Sequence, residues 1–318
     1  MMDVVSIGET LVCMTSEPRG LMRHATSFVP RVAGAETNTL IGLSRLGHQT
    51  SWMSKLGYDE FGKMVLSTIR GEGVDTSQVT FSQSKSTGIF FKQIIHENDV
   101  RISYFRKNSA ASQIKSSDLD EATIKKAKYL YVTGITPLLS DVNREMTFKA
   151  IDIAKGSGVQ TVFDPNIRKN LLINAETKKV LKDIIRAVDI VLPGISEASI
   201  LLNNGEPEEL AAQLLKMGPS LVVIKLGKKG AYFASKNNKS FVPSFHVKKV
   251  LDPVGAGDAF AAGFLSGLLD KLDLKDAVSR ACALGALVTM TEGDYEGLPD
   301  RESLQKFMKQ ENEEDISR

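Results

Sequence analysis

The sequence predicts an α/β fold: a doubly wound, mainly parallel sheet flanked by helices, with a small β-sheet standing outside it. Three observations carry this. From residue 119 onward, strand-length apolar runs alternate with helix-length stretches, which implies right-handed crossovers and parallel neighbours. Two β-rich pieces, 26–32 and 88–106, interrupt that rhythm, and neither is followed by a crossover helix. Late in the chain a glycine turn at 252–258 opens a helix of small apolar residues, a place where unpaired main-chain N–H groups point outward.

Taken in order, residues 3–7 read as a buried first strand ended by Gly8. Gly34 and Ala35 open a helix carrying Leu40, Ile41 and Leu43, and Gly47 stops it. A strand at 51–56 and a helix at 60–70 follow. The 88–106 piece alternates, is rich in Ile, Phe and Tyr, and breaks at Glu97-Asn98-Asp99, so it reads as a hairpin. Strands at 129–133, 160–163, 190–192 and 221–226 are then separated by helices at 141–155 and 176–187 and by short helices around Glu197 and Glu208. Helices at 257–269 and 274–291 close the fold, the second with Val278, Ala281, Gly285 and Val288 on one small-residue face. The acidic end, 310–318, reads as a frayed helix tail. With no repeat, low-complexity stretch or linker in view, a single domain over 1–318 is expected.

Composition narrows the partners. Lys plus Arg number 40 against 38 Asp plus Glu, and a net charge of +2 gives no footprint for nucleic acid or a membrane surface. Cys13 and Cys282 form neither a disulfide framework nor a metal-ligand spacing and read as core residues. No basic, apolar leader opens the sequence, and no uncharged apolar run approaches the roughly 20 residues of a bilayer span, so a cytoplasmic enzyme is expected. No Gly-x-Gly-x-x-Gly follows the first strand and no Gly-x-x-x-x-Gly-Lys-Ser/Thr occurs, which counts against dinucleotide-binding dehydrogenases and P-loop enzymes.

The chemistry gathers around the glycine turn. Gly255, Ala256 and Gly257 let a backbone approach closely, and the helix they open offers N–H groups and the positive end of its dipole to a phosphate. Asp258, in the first helical turn, is a helix cap on one reading; on the other it accepts a proton from an attacking hydroxyl. Phosphoryl transfer needs those two parts side by side, fixed donors and an in-line base. Elsewhere, Tyr104 and Arg106 share one face of a strand, and an aromatic with a guanidinium suits a carboxylate-bearing substrate. Arg168, after Asp164-Pro165-Asn166, offers a second cation at a strand end. Two arginines on one substrate suit an acidic one.

Asp252 to Gly263, Asp-Pro-Val-Gly-Ala-Gly-Asp-Ala-Phe-Ala-Ala-Gly, resembles the signature of the ribokinase-like (PfkB-type) carbohydrate kinases, and the similarity spans nearly the whole chain. The pieces at 104–106, 166–168 and 293–299 are similar to the branch acting on 2-keto-3-deoxygluconate. That resemblance implies a ribokinase-like fold whose small sheet is a lid over the sugar. It implies sugar contacts from Gly34, Ala35 and Asn38, from Tyr104, Arg106 and Arg168, and from Asp294. Phe90 stands where a Tyr is frequent. ATP is implied along Lys225, Gly227 and Gly230 and at Gly255, Ala256 and Gly257. Asn166 and Arg168 are placed to face its phosphates too, leaving Arg168 open to either ligand.

Magnesium is expected on the ATP phosphates. The family's Asn-x-x-Glu reads Gly194-Ile195-Ser196-Glu197 here, so Glu197 is the surviving candidate, acting through water. Asp252 is a candidate for shaping a loop for a monovalent cation such as K+. Ala33 replaces a frequent glycine, and Gly8-Glu9 replaces a frequent Gly-Asp, which disfavours ribose and adenosine. The expectation is an ATP-dependent sugar-acid kinase, homo-oligomeric through the lid or a neighbouring surface. A fructokinase-like enzyme of a neutral ketose and a non-catalytic sugar sensor of the same fold stay open as alternatives.

Overall fold

The computed structural model describes residues 2–96, 99–167 and 174–316, with side chains through 309. The chain begins with β1 (Val4–Ile7), then leaves for β2 (Leu11–Glu17) and β3 (Ser27–Ala33) before α1 (Ala35–Arg45). It continues through β4 (Thr50–Gly57), α2 (Glu60–Gly71) and β5 (Val79–Ser82) to the pair β6 (Ile89–His96) and β7 (Asp99–Phe105). Next come α3 (Glu121–Lys125), β8 (Tyr129–Thr133), α4 (Asp141–Gly156), β9 (Gln160–Asp164), α5 (Ala175–Ala187) and β10 (Ile190–Val191). The last stretch holds α6 (Ile195–Leu201), α7 (Pro207–Leu215), β11 (Leu221–Lys225), β12 (Ala231–Ser235) and β13 (Lys239–Val242), then α8 (Ala256–Leu269), α9 (Leu274–Val288) and α10 (Arg301–Ile316).

Nine strands form one sheet in the order β13-β12-β11-β10-β9-β8-β1-β4-β5, parallel except where β12 joins β11 and β13. Successive residues of β1 take opposite sides: Val4 joins a core with α1, α2, α8 and α9, whereas Val5 joins another with α4, α5 and α7. Burial on both faces is what makes these strands near-continuous apolar runs. Chain order reverses between β1 and β8, so the crevice beyond the C-terminal ends of the strands there is where ligands gather in such sheets. Small residues let α8 and α9 lie close. A Cβ on Gly263 would sit 2.8 Å from the Cα of Ala281, a distance no real contact shows.

The two β-rich pieces do leave the main sheet, as expected, and form a four-stranded sheet in the order β3-β2-β6-β7. Its central strand β2, antiparallel to β3 and parallel to β6, lies where the sequence reading has only a loop. The run Leu-Val-Cys-Met there carried the signal. β5, β12 and β13 also go beyond the expected strands. The hairpin turn at 97–98 lies outside the described residues. Cys13 and Cys282 are buried and free, and burial pushes their thiols up to about 11 and about 12. Among the described residues no helix is long and apolar enough to cross a membrane.

Candidate active site

The ends of β9, β10 and β11 and the N-termini of α6 and α8 border one cleft. Of the long helices, α2, α4, α5 and α9 begin with a side chain (Asp59, Ser140, Asn174, Asp273) accepting from their first turn. α1 and α8 begin instead with Gly34 and Gly255, which have no side chain to do so, leaving first-turn donors available. Gly255 has φ of 80°, and a Cβ there would collide with the carbonyl oxygen of Asp294. Both facts exclude other residues.

Asp258 sits in the first turn of α8 and is 3 % exposed. Its carboxylate is held from two sides: Asn38 Nδ2, on α1, donates to Oδ2 at 2.8 Å, and Asn166 Nδ2 donates to Oδ1 at 3.2 Å. Thr39 Oγ1 donates to the main-chain oxygen of Asp258 at 3.2 Å. Asn166 reaches it from the loop after β9 with φ of 41°, a left-handed conformation that Asn tolerates better than most residues. Asn38, expected at sugar hydroxyls, and Asn166, expected at phosphates, thus both orient the acid.

The cleft above this turn, about 550 Å³, is lined by Asn166, Gly194 to Glu197, Lys225 to Gly227 and the turn from Pro253 to Asp258 apart from Ala256. Lys225 Nζ is 2.7 Å from Asp164 Oδ2, fully buried at the end of β9. Burial works against the Lys225 ammonium, but Asp164, Glu197 and Asp258 around it overcome that and hold its pKa above the ordinary value. Glu197 is raised by burial, with Lys225 opposing. Its two oxygens accept from Gly194 N and Ile167 N, each at 2.6 Å, so Glu197 ties the β9 loop to the start of α6. Gly227 lines the cleft, whereas Gly230 does not: it closes a strand–turn–strand between β11 and β12, its oxygen accepting from Leu226 N at 2.8 Å.

Among the described residues no three His, Cys, Asp or Glu side chains gather closely enough to cage a metal. The carboxylates lining the cleft, Glu197 and Asp258, fit a magnesium ion held mainly by nucleotide phosphates and water, as magnesium ordinarily is. Arg168 lies outside the described residues.

The small sheet carries the residues expected at the sugar. Cys13, Phe90 and Tyr104 fall in register across β2, β6 and β7, with Arg31 of β3 at the end of the row. Arg106 lies over the Tyr104 ring, 5.4 Å from its centroid, and Phe90 meets Tyr104 at 5.4 Å, so the shared face expected from strand period holds. Glu9 is the residue that the sequence reading noticed only as a departure. It is 3 % exposed and receives both the Arg106 guanidinium and the Ser109 hydroxyl. Arg106 Nε, also buried, has no hydrogen-bond partner among the described residues, so the guanidinium retains donors. Ala35 is buried in the first turn of α1, and Asp294 lies half-buried with its main chain against Gly255.

Residues 1–301 match the profile of the pfkB family carbohydrate kinases. The chain is 40 % identical over 309 residues to the 2-dehydro-3-deoxygluconokinase of Bacillus subtilis (strain 168), covering 96 % of this chain and 95 % of the relative. It is 34 % identical to the 2-dehydro-3-deoxygluconokinase of Thermoproteus tenax, covering 97 % and 95 %. In three dimensions it superposes on a putative ribokinase II from E. coli, solved with ATP and Mg2+, with a TM-score of 0.91 at 28 % identity, covering 98 % of this chain and all of that one.

Proposed function

The chain belongs to the pfkB family of carbohydrate kinases, and from that membership we propose that it transfers the γ-phosphoryl group of ATP to the 6-hydroxyl of 2-keto-3-deoxygluconate. The products are 2-keto-3-deoxy-6-phosphogluconate and ADP, and 2-keto-3-deoxygalactonate is the epimer to try beside it. The observation that carries the reading is a buried carboxylate, Asp258, aimed by two amides at the mouth of a helix whose N-terminus lacks a side-chain cap.

In this reading Asp258 takes the proton of the 6-hydroxyl as that oxygen bonds to the γ-phosphorus and the bond to the ADP oxygen breaks. Main-chain N–H groups from Gly255 to Asp258 stabilise charge on the transferring oxygens. Asn38 and Asn166 keep the carboxylate pointing at the nucleophile, and Lys225 and Gly227 border the nucleotide. Tyr104, Arg106, Phe90 and Asp294, with Gly34 and Ala35, surround the sugar acid, Arg106 meeting its carboxylate. Magnesium bound with ATP supplies charge neutralisation at the phosphates. Glu197, its oxygens engaged by two N–H groups, would help hold it through water. Asp252, the candidate for a monovalent cation, already carries the ammonium of Lys92.

We further read the whole chain, 1–318, as one cytoplasmic unit with the four-stranded sheet as its lid. It self-associates through that sheet's outer face, where Phe28 and Phe105 are exposed and pack edge-on against Phe91. One observation favours a second reading, a kinase of a neutral ketose such as fructose: Glu9 already compensates much of the Arg106 charge.

A panel of sugar acids and ketoses with ATP, read by ADP release, separates the two readings. Higher kcat/KM on fructose than on any keto-acid sinks the acid-sugar assignment. Asp258→Asn is expected to keep ATP affinity by calorimetry while turnover falls about 10²–10⁴-fold. Near-normal turnover removes Asp258 from its role.

A further inference from the structure

Lys92 does something unusual for a lysine on a small, half-open sheet. It lies on β6, two residues from Phe90 and therefore on the same face, the buried one. Such a side chain ordinarily carries its ammonium out to water. Lys92 is instead 6 % exposed, and its Nζ bonds Asp252 Oδ2 at 2.7 Å, with Asp252 itself 9 % exposed.

Asp252 is a junction. Its second oxygen, Oδ1, accepts from Val254 N at 3.1 Å, two residues on, at the entrance to the turn that becomes α8. The N–H groups of Leu251 and Asp252 donate to Thr289 O at 2.8 and 3.2 Å, anchoring the segment to the end of α9. The anchor engages only the main chain and the Val254 bond is local, so neither compensates the carboxylate's charge, and Lys92 is the cation on it. A buried ion pair adds little net stability over an apolar pair of similar volume, because desolvating both charges offsets their attraction. What it does provide is a fixed geometry between two elements that would otherwise touch only loosely.

Resting on the kinase reading above, we propose that Lys92 is a positioning residue for phosphoryl transfer. Its ammonium, carried on the lid strand that also bears Phe90, fixes Asp252, and through Val254 N–H fixes the turn from Pro253 to Gly257 that presents main-chain donors to the transferring phosphate. The sugar wall and the phosphate turn are thereby joined through one side chain. With the lid strand seated, the turn is ordered. Without the ammonium, the turn loosens and the donors lose their aim, and a misplacement on the order of 1 Å costs about 10²-fold in rate.

The test uses the full chain with Lys92→Met, which keeps length and removes charge. Expected is a kcat lowered by about 10- to 100-fold, with KM for the sugar acid changed by about threefold or less. Added methylammonium or ammonium, against sodium at equal ionic strength, is expected to restore kcat at least severalfold in the variant and to leave the parent protein unchanged. Amide hydrogen exchange over 252–258, measured without sugar, is expected to be faster in the variant. A variant with parental kcat overturns the proposal, as does a lowered kcat with neither amine rescue nor faster exchange in that turn. If Lys92→Met does not fold, Asp252→Asn takes its place, with the same faster exchange and lowered kcat expected and parental values for both overturning. Should the parent protein phosphorylate no sugar at all, the kinase reading fails, while the exchange measurement still decides whether Lys92 orders the turn.

Discussion

Arg106 combines three contacts that pull in different directions: the Tyr104 face, the Glu9 carboxylate and, in the proposed reaction, the carboxylate of a sugar acid. A guanidinium shared between two carboxylates binds the second less strongly than a free one would, yet its planar fork has donors for both. Arg106→Ala is therefore expected to raise KM for the keto-acid about ten- to hundredfold, or about 1.4–3 kcal/mol, in steady-state kinetics. The same change on a neutral ketose is expected to leave KM within about threefold. This pairing of Tyr104 with Arg106 was legible from strand period alone. The meeting of Asn38 and Asn166 on Asp258 was not, because 220 and 92 residues separate the partners and no local pattern encodes such a contact. Glu9 shows the same limit: a buried ion pair with a residue far along the chain looks, in sequence, like a conservative swap for Asp.

Helices α8 and α9 owe their closeness to Gly263, which faces the Cα of Ala281 and the carbonyl oxygen of Arg280, both 2.8 Å from where a Cβ would stand. Gly263→Ala is expected to force the pair apart and to lower stability by about 1–3 kcal/mol despite the better helix propensity of alanine, read as a lower urea midpoint at unchanged m. The helices expected at 60–70, 141–155, 176–187, 257–269 and 274–291 hold to within a few residues because their apolar period is long, whereas α3 was not expected and α10 only as a frayed tail. Strands fared less evenly. β2 follows β1 after only three residues and has no crossover helix, so its apolar run merged with a loop. β12 and β13 are short and antiparallel at one end of a parallel sheet, where the strand–helix rhythm that betrays the others is absent.

Across the whole molecule, alternation of strands and helices predicted the doubly wound sheet, but strand order had to come from packing. The reversal between β1 and β8, which decides where the cleft opens, has no sequence mark of its own. At the opposite end of α8 a polar knot ties distant parts together. Asp270 accepts from Arg280 Nη1 at 2.6 Å and from Arg301 Nη1 at 2.5 Å, and Arg301 also donates through Nη2 to Leu46 O at 2.6 Å. Burial alone would raise the Asp270 carboxyl, but the two guanidinium groups hold it down to about 2 from 3.8. A depressed carboxyl contributes stability above its unfolded value and loses it as pH falls, here from about 4 through about 2. Asp270→Asn is thus expected to cost about 1–2 kcal/mol at neutral pH and to flatten the acid limb of the unfolding curve between those values, by thermal melts across pH. The two sheets also divide the work of recognition. Phe90, Tyr104 and Arg106 belong to the four-stranded sheet or its edge, whereas Asp258 and the cleft-lining glycines hang on the nine-stranded one. Exchanging the smaller sheet for that of a relative, with Lys92 retained on β6, offers a route to retarget the enzyme toward a different carbohydrate while its phosphate chemistry passes through untouched.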